Sequence, residues 1–272
     1  MKKTPSKSPM MNYEEAKEWI SRIDGNLIIS EENQIFFRHA DLFLMNFEET
    51  SENILKALQM PLSGLKLSAK KKETKDTAPL PMYFRRLAAD KLNISLKKNL
   101  RDNIQDLKFE VEFKEGVFFD SPQIGGFDFA LFDETYNLMN FRNYCFGRKS
   151  IYNGEERWKE ELSKREDWLK LSNFHDLESY PKGIDIPYNK KVPTIIGEVQ
   201  FGNWALVYYD LLKTIQIEQT FDIDLFVYIT AAGNLSKYIS AGTVNFDRTR
   251  DALEEFKNIT KFPIWVIGVD FE

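Results

Sequence analysis

The sequence predicts a mixed α/β fold, and three observations predict it. The final stretch, roughly the last 90 residues, alternates strand-like and helix-like patterns in the order β–β–α–β–α–β. Leu225–Ile229 and the run after Pro263 are unbroken apolar stretches, the pattern of strands buried on both faces. The chain is 43% hydrophobic and contains 22 Phe, enough for a substantial core and too apolar for a disordered chain.

Taken in order, residues 1–11 are basic and read as a disordered tail. Tyr13–Ile23 predicts a short helix, with Asn12 as cap, Glu15 at capping-box spacing and Asp24-Gly25 as stop. Between Leu27 and Phe47, two apolar runs broken at Glu31-Glu32-Asn33 predict a hairpin, and Thr50 or Ser51 caps a helix through Gln59. Residues 61–81 carry Pro61, Gly64, Pro79 and Pro81 around Lys70-Lys71-Lys72 and read as a solvated surface loop. That change of composition divides an N-terminal extension, 1–81, from a main domain, 82–272.

Tyr83–Asp106 places Phe84, Leu87, Leu92, Leu96 and Leu100 at helical spacing. Lys108–Phe113 alternates as a strand, Gly116–Phe132 reads as strand–turn–strand about Gly125-Gly126, and Ile151–Leu171 reads as a partly exposed helix. Gly183–Gln200 reads as two short strands turning at Asn189-Lys190-Lys191. Asn203 caps a helix whose inner face is Trp204, Val207, Tyr208, Leu211 and Ile215. A strand over Asp222–Thr230, a polar loop over Ala231–Asn245, a helix over Arg248–Asn258 and a strand over Pro263–Asp270 complete the chain.

The net charge of −5 is not that of a bulk-basic nucleic-acid binder, although a local basic cleft is compatible with it. One cysteine, Cys145, excludes an intrachain disulfide and a cysteine-rich zinc site, and two histidines leave no multi-histidine metal centre. No apolar run has signal-peptide or membrane-spanning length, so the expected location is the cytoplasm, with no membrane partner.

The chemistry concentrates between Gly183 and Lys213. Residues two apart on a strand share a face, so Glu198 and Gln200 project together while Val199 turns inward. Twelve residues separate Asp185 from Glu198, a gap that a hairpin turn spans. Two carboxylates, with the Val199 carbonyl beside them, would hold a hard divalent cation such as Mg2+. By spacing alone such a pattern is more often incidental than catalytic. Asp222-x-Asp224 is a rival carboxylate pair whose simpler role is a polar strand entrance. His175 reads as a capping histidine and Cys145 as a small buried hydrophobe.

Ile-Asp, a short gap, Glu-Val-Gln-Phe-Gly-Asn and an aromatic helix reaching Tyr-Asp-Leu resembles the type II restriction endonucleases of the BglII and BstYI kind. Ile229-Thr230, Ser240-Ala241-Gly242, Phe246-Asp247 and Ile267-Gly268 continue the resemblance, which covers roughly the last 90 residues, with a weaker echo over Gly125–Trp158. These enzymes belong to the PD-(D/E)xK superfamily and carry Glu-x-Gln in place of Glu-x-Lys. The resemblance implies a restriction-endonuclease-like mixed β-sheet flanked by helices, with an N-terminal α+β extension. It implies Asp185, Glu198 and Gln200 as catalytic residues, Mg2+ without an organic cofactor, and Asn137 or Asn140 as an upstream active-site asparagine. Asn203 falls where that family contacts DNA. Loop residues Ser240, Thr243, Asn245, Arg248 and Arg250 fall where it reads bases, and their chemistry suits base edges and phosphates. Lys190, Lys191 and Lys213 would neutralise phosphates. The implied activity is site-specific cleavage of double-stranded DNA by a homodimer. A structure-dependent nuclease and an inactive DNA-binding protein are the alternatives. The Asp-to-Glu gap is a few residues longer than in that family and the N-terminal part is larger.

Overall fold

The computed structural model describes residues 10–72, 81–120, 126–240 and 242–272. They divide into two compact units. The first comprises the stretch ending at Leu107 with Gly197–Ile215 and Leu225–Glu272; the second comprises Lys108–Ile196 with Gln216–Asp224.

The first unit opens with strand β1 (Met10–Met11) and helix α1 (Tyr13–Ser21). The expected capping box is present: Asn12 Oδ1 accepts from the Glu15 amide at 3.0 Å, and the Asn12 amide donates to Glu15 at 2.8 Å. Short strands β2 (Asp24–Gly25) and β3 (Leu27–Ile28), β4 (Gln34–Phe37), helices α2 (Ala40–Asn46) and α3 (Glu48–Gln59), and strands β5 (Leu62–Ser63), β6 (Leu67–Lys71) and β7 (Tyr83–Leu87) follow, then helix α4 (Ala89–Asn103). The order β1-β7-β6 forms one small antiparallel sheet. Trp19 ties α1 to it, its indole N–H reaching the carbonyls of Ser68 and Arg86 at 3.1 and 3.3 Å.

Several expectations for this region are corrected. Residues 1–9 and 73–80 of the expected tail and loop lie outside the described residues, but Met10 and Met11 are in a strand, and 61–81 contains β5 and β6. The supposed hairpin between Leu27 and Phe47 is two strands, β3 and β4, that both pair antiparallel with a strand from the chain's far end, followed by α2. Tyr83–Leu87 is strand and not helix. Its backbone groups pair with β1 and β6, and that pairing overrides the helical spacing of Phe84 and Leu87.

The second unit contains antiparallel strands β8 (Lys108–Lys114), β9 (Val117–Asp120) and β10 (Phe127–Leu131), in the order β10-β8-β9, then helices α5 (Glu134–Phe146), α6 (Gly154–Lys164) and α7 (Glu166–Phe174). Phe119, Phe141, Trp158, Trp168 and Leu177 form its buried centre. The single helix expected over Ile151–Leu171 is two, broken at Arg165. Glu161 is buried there among Arg157, Lys164 and Arg165, which neutralise it. Gly125 of the expected Gly-Gly turn lies outside the described residues.

The chain leaves the second unit within β11 (Ile195–Gln200) and continues through α8 (Leu206–Glu218), β12 (Leu225–Ala231), the short helix α9 (Leu235–Tyr238), α10 (Phe246–Phe256) and β13 (Ile264–Phe271). The first unit's main sheet runs β3-β13-β12-β11, with β4 also on β13. β12 and β13 are parallel and β3 and β4 antiparallel, so the sheet is mixed. Every residue of β12 is buried, as its unbroken apolar run predicts. At about 1.5–3 kcal/mol per buried Leu, Ile, Val or Phe, these strands carry much of the unit's hydrophobic stabilisation. The fold class read from the sequence, a mixed α/β sheet flanked by helices, is the observed one. Among the described residues no helix is long and apolar enough to cross a membrane.

Candidate active site

Asp185 lies in the second unit, on an extended segment that forms no strand; the hairpin expected around Asn189-Lys190-Lys191 is absent. Side chains of α5 satisfy the segment's backbone where a ladder was expected. The buried Arg142 guanidinium donates to the carbonyls of Ile184 (2.6 Å), Tyr180 (2.9 Å) and Pro181 (3.0 Å). Asn143 exchanges two hydrogen bonds with the backbone of Ile186, at 3.0 and 2.8 Å. Asp185 is held between these clamps, and its Oδ1 accepts the Arg148 backbone N–H at 2.9 Å. Its side chain keeps about half its exposure, with the Arg148 guanidinium 3.9 Å away. Gly147 makes this approach possible: a Cβ there would stand 2.1 Å from Asp185 Oδ1. Burial pulls the Arg142 pKa below the usual guanidinium range, and the Asp185 charge opposes that shift.

Glu198 and Gln200 lie on β11 within the first unit, with Val199 turned into the core as expected. Glu198 is 5% exposed, and its Oε1 accepts from the Lys213 ammonium at 2.5 Å. Lys213 also approaches Asp210 Oδ1, at 3.8 Å, one turn earlier on α8. Gln200 Oε1 accepts the Gly202 N–H at 2.9 Å, and its Nε2 faces Asp210 Oδ2 at 3.4 Å. The Val199 carbonyl accepts from the Asn93 amide of α4 at 3.1 Å. The donors are all oxygens, the set a hard cation takes. Glu198 already faces a cationic group, so its carboxylate is turned toward positive charge.

The loop expected to read bases is strapped to the end of β11. The Val244 N–H donates to the Gly202 carbonyl at 2.9 Å and the Trp204 N–H to the Gly242 carbonyl at 3.1 Å, with a β-bridge between Asn203 and Thr243. Asn203 lies before α8, not at the helix cap itself, and its Oδ1 accepts the Ala205 N–H; Trp204 is exposed outside the helix. Asn245 caps α10 by accepting the Arg248 N–H at 3.1 Å. The Arg248 guanidinium holds the Thr243 carbonyl at 2.6 Å, and the Thr243 hydroxyl donates to the Ser240 carbonyl at 2.7 Å. Arg250 pairs with Asp247 and Asp251. These bonds shape the loop, and Ser240, Arg248 and Arg250 remain exposed on it.

Other candidates acquire structural roles. Asn137 is fully buried and spends both ends of its amide on the Phe118 backbone, at 2.8 Å each. Asn140 donates to the Tyr136 carbonyl of its own helix. Asp222 and Asp224 are bridged by Lys190, at 2.8 and 2.6 Å, a polar entrance to β12. Burial pulls the Lys190 ammonium down, but hydrogen bonds to the two aspartates outweigh it and raise its pKa. The Lys191 backbone N–H donates to Asp133, and its ammonium lies 5.9 Å from the Tyr188 ring. His175 stands at the C-cap of α7. Cys145 is buried, which pushes its thiol up to about 12. Sequence reading missed Arg142, Asn143 and Asn93, each of which acts on a residue distant in sequence, so no local pattern marks it; Asp210 lay in the quoted Tyr-Asp-Leu stretch but its contacts with Gln200 and Lys213 appear only in the structure. Among the described residues no three His, Cys, Asp or Glu side chains cluster closely enough to hold a metal.

Comparison with known proteins completes the picture. The chain is similar to the solved structure of restriction endonuclease BglII complexed with a DNA 16-mer, at 13% identity over 87% of this chain and 75% of that one, with a TM-score of 0.42. Free BglII is similar at 12% identity over 86% and 76%, with a TM-score of 0.39. No curated protein matches. The family model described as restriction endonuclease BglII/BglIII matches residues 33–269, nearly the whole chain, and the chain therefore belongs to that family of type II site-specific deoxyribonucleases.

Proposed function

We propose that this chain is a Mg2+-dependent restriction endonuclease that cuts double-stranded DNA at a short palindrome and leaves 5′-phosphate ends. The observation that carries this reading is the buried Glu198 on β11, beside Gln200, with the loop of Ser240, Thr243 and Arg248 strapped to the same strand's end. Chemistry and base reading would then share one rigid support. Asp185, Glu198 and the Val199 carbonyl would hold the metal. A bound Mg2+ neutralises the scissile phosphate and lowers the pKa of a coordinated water.

Gln200 has a narrower role than its position first implies. Its oxygen is oriented by the Gly202 N–H and its NH2 faces Asp210 Oδ2, which leaves the second N–H of the amide as the donor for a reactant. It can donate to a water or phosphate oxygen and cannot take a proton. Asn203, Ser240, Thr243, Asn245, Arg248 and Arg250 contact the DNA, and Lys191 supplies a charge for its phosphates, whereas Lys190 is engaged by Asp222 and Asp224. Two such chains on a two-fold axis match a palindrome, one subunit cutting each strand, in the cytoplasm.

Digestion of plasmid DNA with Mg2+ tests the reading. Discrete fragments with 5′-phosphate ends are expected, as are loss of cutting in E198A and in D185A and a steep fall of affinity with salt. Full activity in E198A, or a smear in place of fragments, refutes it.

A further inference from the structure

The first unit's own residues around Glu198 carry a second assignment. We propose that Asp210 and Lys213, one turn apart on α8, complete the site: Lys213 supplies the positive charge that the Gln200 position lacks, and Asp210 is the positioning residue that holds both Lys213 and the Gln200 amide. The inference rests on the proposed role of Glu198.

The geometry supports it in three ways. First, Lys213 is not a surface charge. Its side chain is 13% exposed and its ammonium is 2.5 Å from Glu198 Oε1, so its four-carbon stem delivers the charge to the strand and away from solvent. Burying a carboxylate and an ammonium together gains little net stability over an apolar pair, so stability alone does not explain the arrangement. Second, Asp210 is 3% exposed and is the shared partner of the group. Its Oδ1 faces Lys213 at 3.8 Å, and its Oδ2 faces Gln200 Nε2 and the Tyr228 hydroxyl, each at 3.4 Å. Tyr228 comes from β12, so Asp210 joins the helix to two neighbouring strands. Third, the amide orientation follows from its neighbours. A backbone N–H fixes the oxygen end of Gln200, and a carboxylate attracts the nitrogen end. The strand position can therefore donate a hydrogen bond but bears no charge, while a charged donor from the helix reaches the carboxylate two residues earlier.

Functionally, a neutral amide stabilises developing negative charge less than an ammonium does. An ammonium beside Glu198 acts on charge at the scissile phosphate or the attacking oxygen as an electrostatic group. No proton transfer by Lys213 is required, and no bond to it forms or breaks. This replaces the simpler role of Lys213 as a neutraliser of phosphates.

The test compares wild type, K213M, K213R, D210N, the double variant K213M/D210N and E198A on a supercoiled plasmid that the wild type cuts. Single-turnover cleavage is measured with Mg2+, binding of the same plasmid with Ca2+, and folding by thermal melting. K213M is expected to lose about 10²–10³-fold in cleavage, the scale of one preorganised electrostatic donor, while binding changes little. K213R should recover part of the loss. D210N should lose less than K213M, and the double variant should lose less than the product of the two single losses, because the part of Asp210 that acts through Lys213 is already gone in K213M and only the part through Gln200 remains. A purely structural role would lower the melting temperature and leave the rate per folded, bound molecule unchanged; that result overturns the proposal. A phosphate-neutralising role would weaken binding and reduce the salt slope by about 1, with full cleavage at saturation; that overturns it too. Should K213M not fold, D210N and K213R decide: wild-type cleavage by D210N refutes the positioning role. An inactive E198A beside a fully active K213M refutes this inference alone, whereas an active E198A refutes the site reading beneath it.

Discussion

Replacing Arg142 with Met removes the clamp on the Asp185 segment while keeping most of the side chain's volume. The wild-type guanidinium makes three hydrogen bonds to backbone carbonyls, at 2.6, 2.9 and 3.0 Å. Bonds to a charged donor are worth about 1.5–3 kcal/mol each, an upper sum of about 9 kcal/mol. Two effects reduce it. Tyr180 and Ile184 are themselves exposed, so water can replace part of the lost bonding. The Arg142 Nε is buried without a partner, and removing it relieves a cost of about 1 kcal/mol or more. A net destabilisation of about 3 kcal/mol follows, or a fall in melting temperature of about 6 °C at about 2 °C per kcal/mol. Thermal melting with a denaturant titration reads it directly. Because the segment carries Asp185, cleavage per folded molecule should also fall while DNA binding in Ca2+ persists. An R142M protein that melts within about 1 °C of wild type and cuts normally would refute the clamp and the positioning of Asp185 derived from it.

G147A should separate activity from folding less cleanly: its Cβ would meet Asp185 Oδ1 at 2.1 Å and the Asn143 carbonyl at 2.5 Å, so we expect lost cleavage with a destabilisation of about 1–3 kcal/mol, read by digestion and melting. Lys190 has a raised folded-state pKa, so its contribution is complete below the ordinary value of 10.5 and disappears as pH climbs through the raised value. The stability gap between wild type and K190M, about 1 kcal/mol for a half-buried lysine shared by one exposed and one half-buried aspartate, should be constant from neutral pH to mildly alkaline pH and close at strongly alkaline pH. Cys145, buried with a thiol pKa of about 12, should resist a thiol-reactive chromophore at pH 8 until denaturant opens the second unit. Rapid labelling of the folded protein would contradict that burial.

The parts of the fold legible in the sequence are those whose own pattern decides them. β12 and β13 carry long apolar runs because both faces are covered, and α10 shows its buried Ala252 and Leu253 at helical spacing; that Asn245 caps it is seen only in the structure. β7 was illegible because its spacing of Phe84 and Leu87 also suits a helix; the partners that decide it, β1 and β6, are remote or weakly patterned. The Asp185 segment was misread for a related reason. Its backbone partners are Arg142 and Asn143, residues about 40 positions earlier, on a helix whose polar and apolar residues alternate without a clear stripe. At the site, Glu198 and Gln200 were legible as a same-face pair on a strand. Lys213 was visible only as a charge fifteen residues on, and its contact with Glu198 exists only once α8 packs back along β11.

The antiparallel pairing of β4 with β13 joins residues 34–37 to 264–267, and the Trp265 indole donates to Gln34 231 residues away in sequence. β3 and β4 thus wait for β13, a strand made more than two hundred residues later. During synthesis β12 and its apolar neighbours emerge before their outer partner, so a growing chain carries an uncovered hydrophobic ladder until β13 follows. Closing a loop of that length costs entropy that only the finished sheet repays, which makes slow, chaperone-sensitive refolding an intrinsic property of this topology.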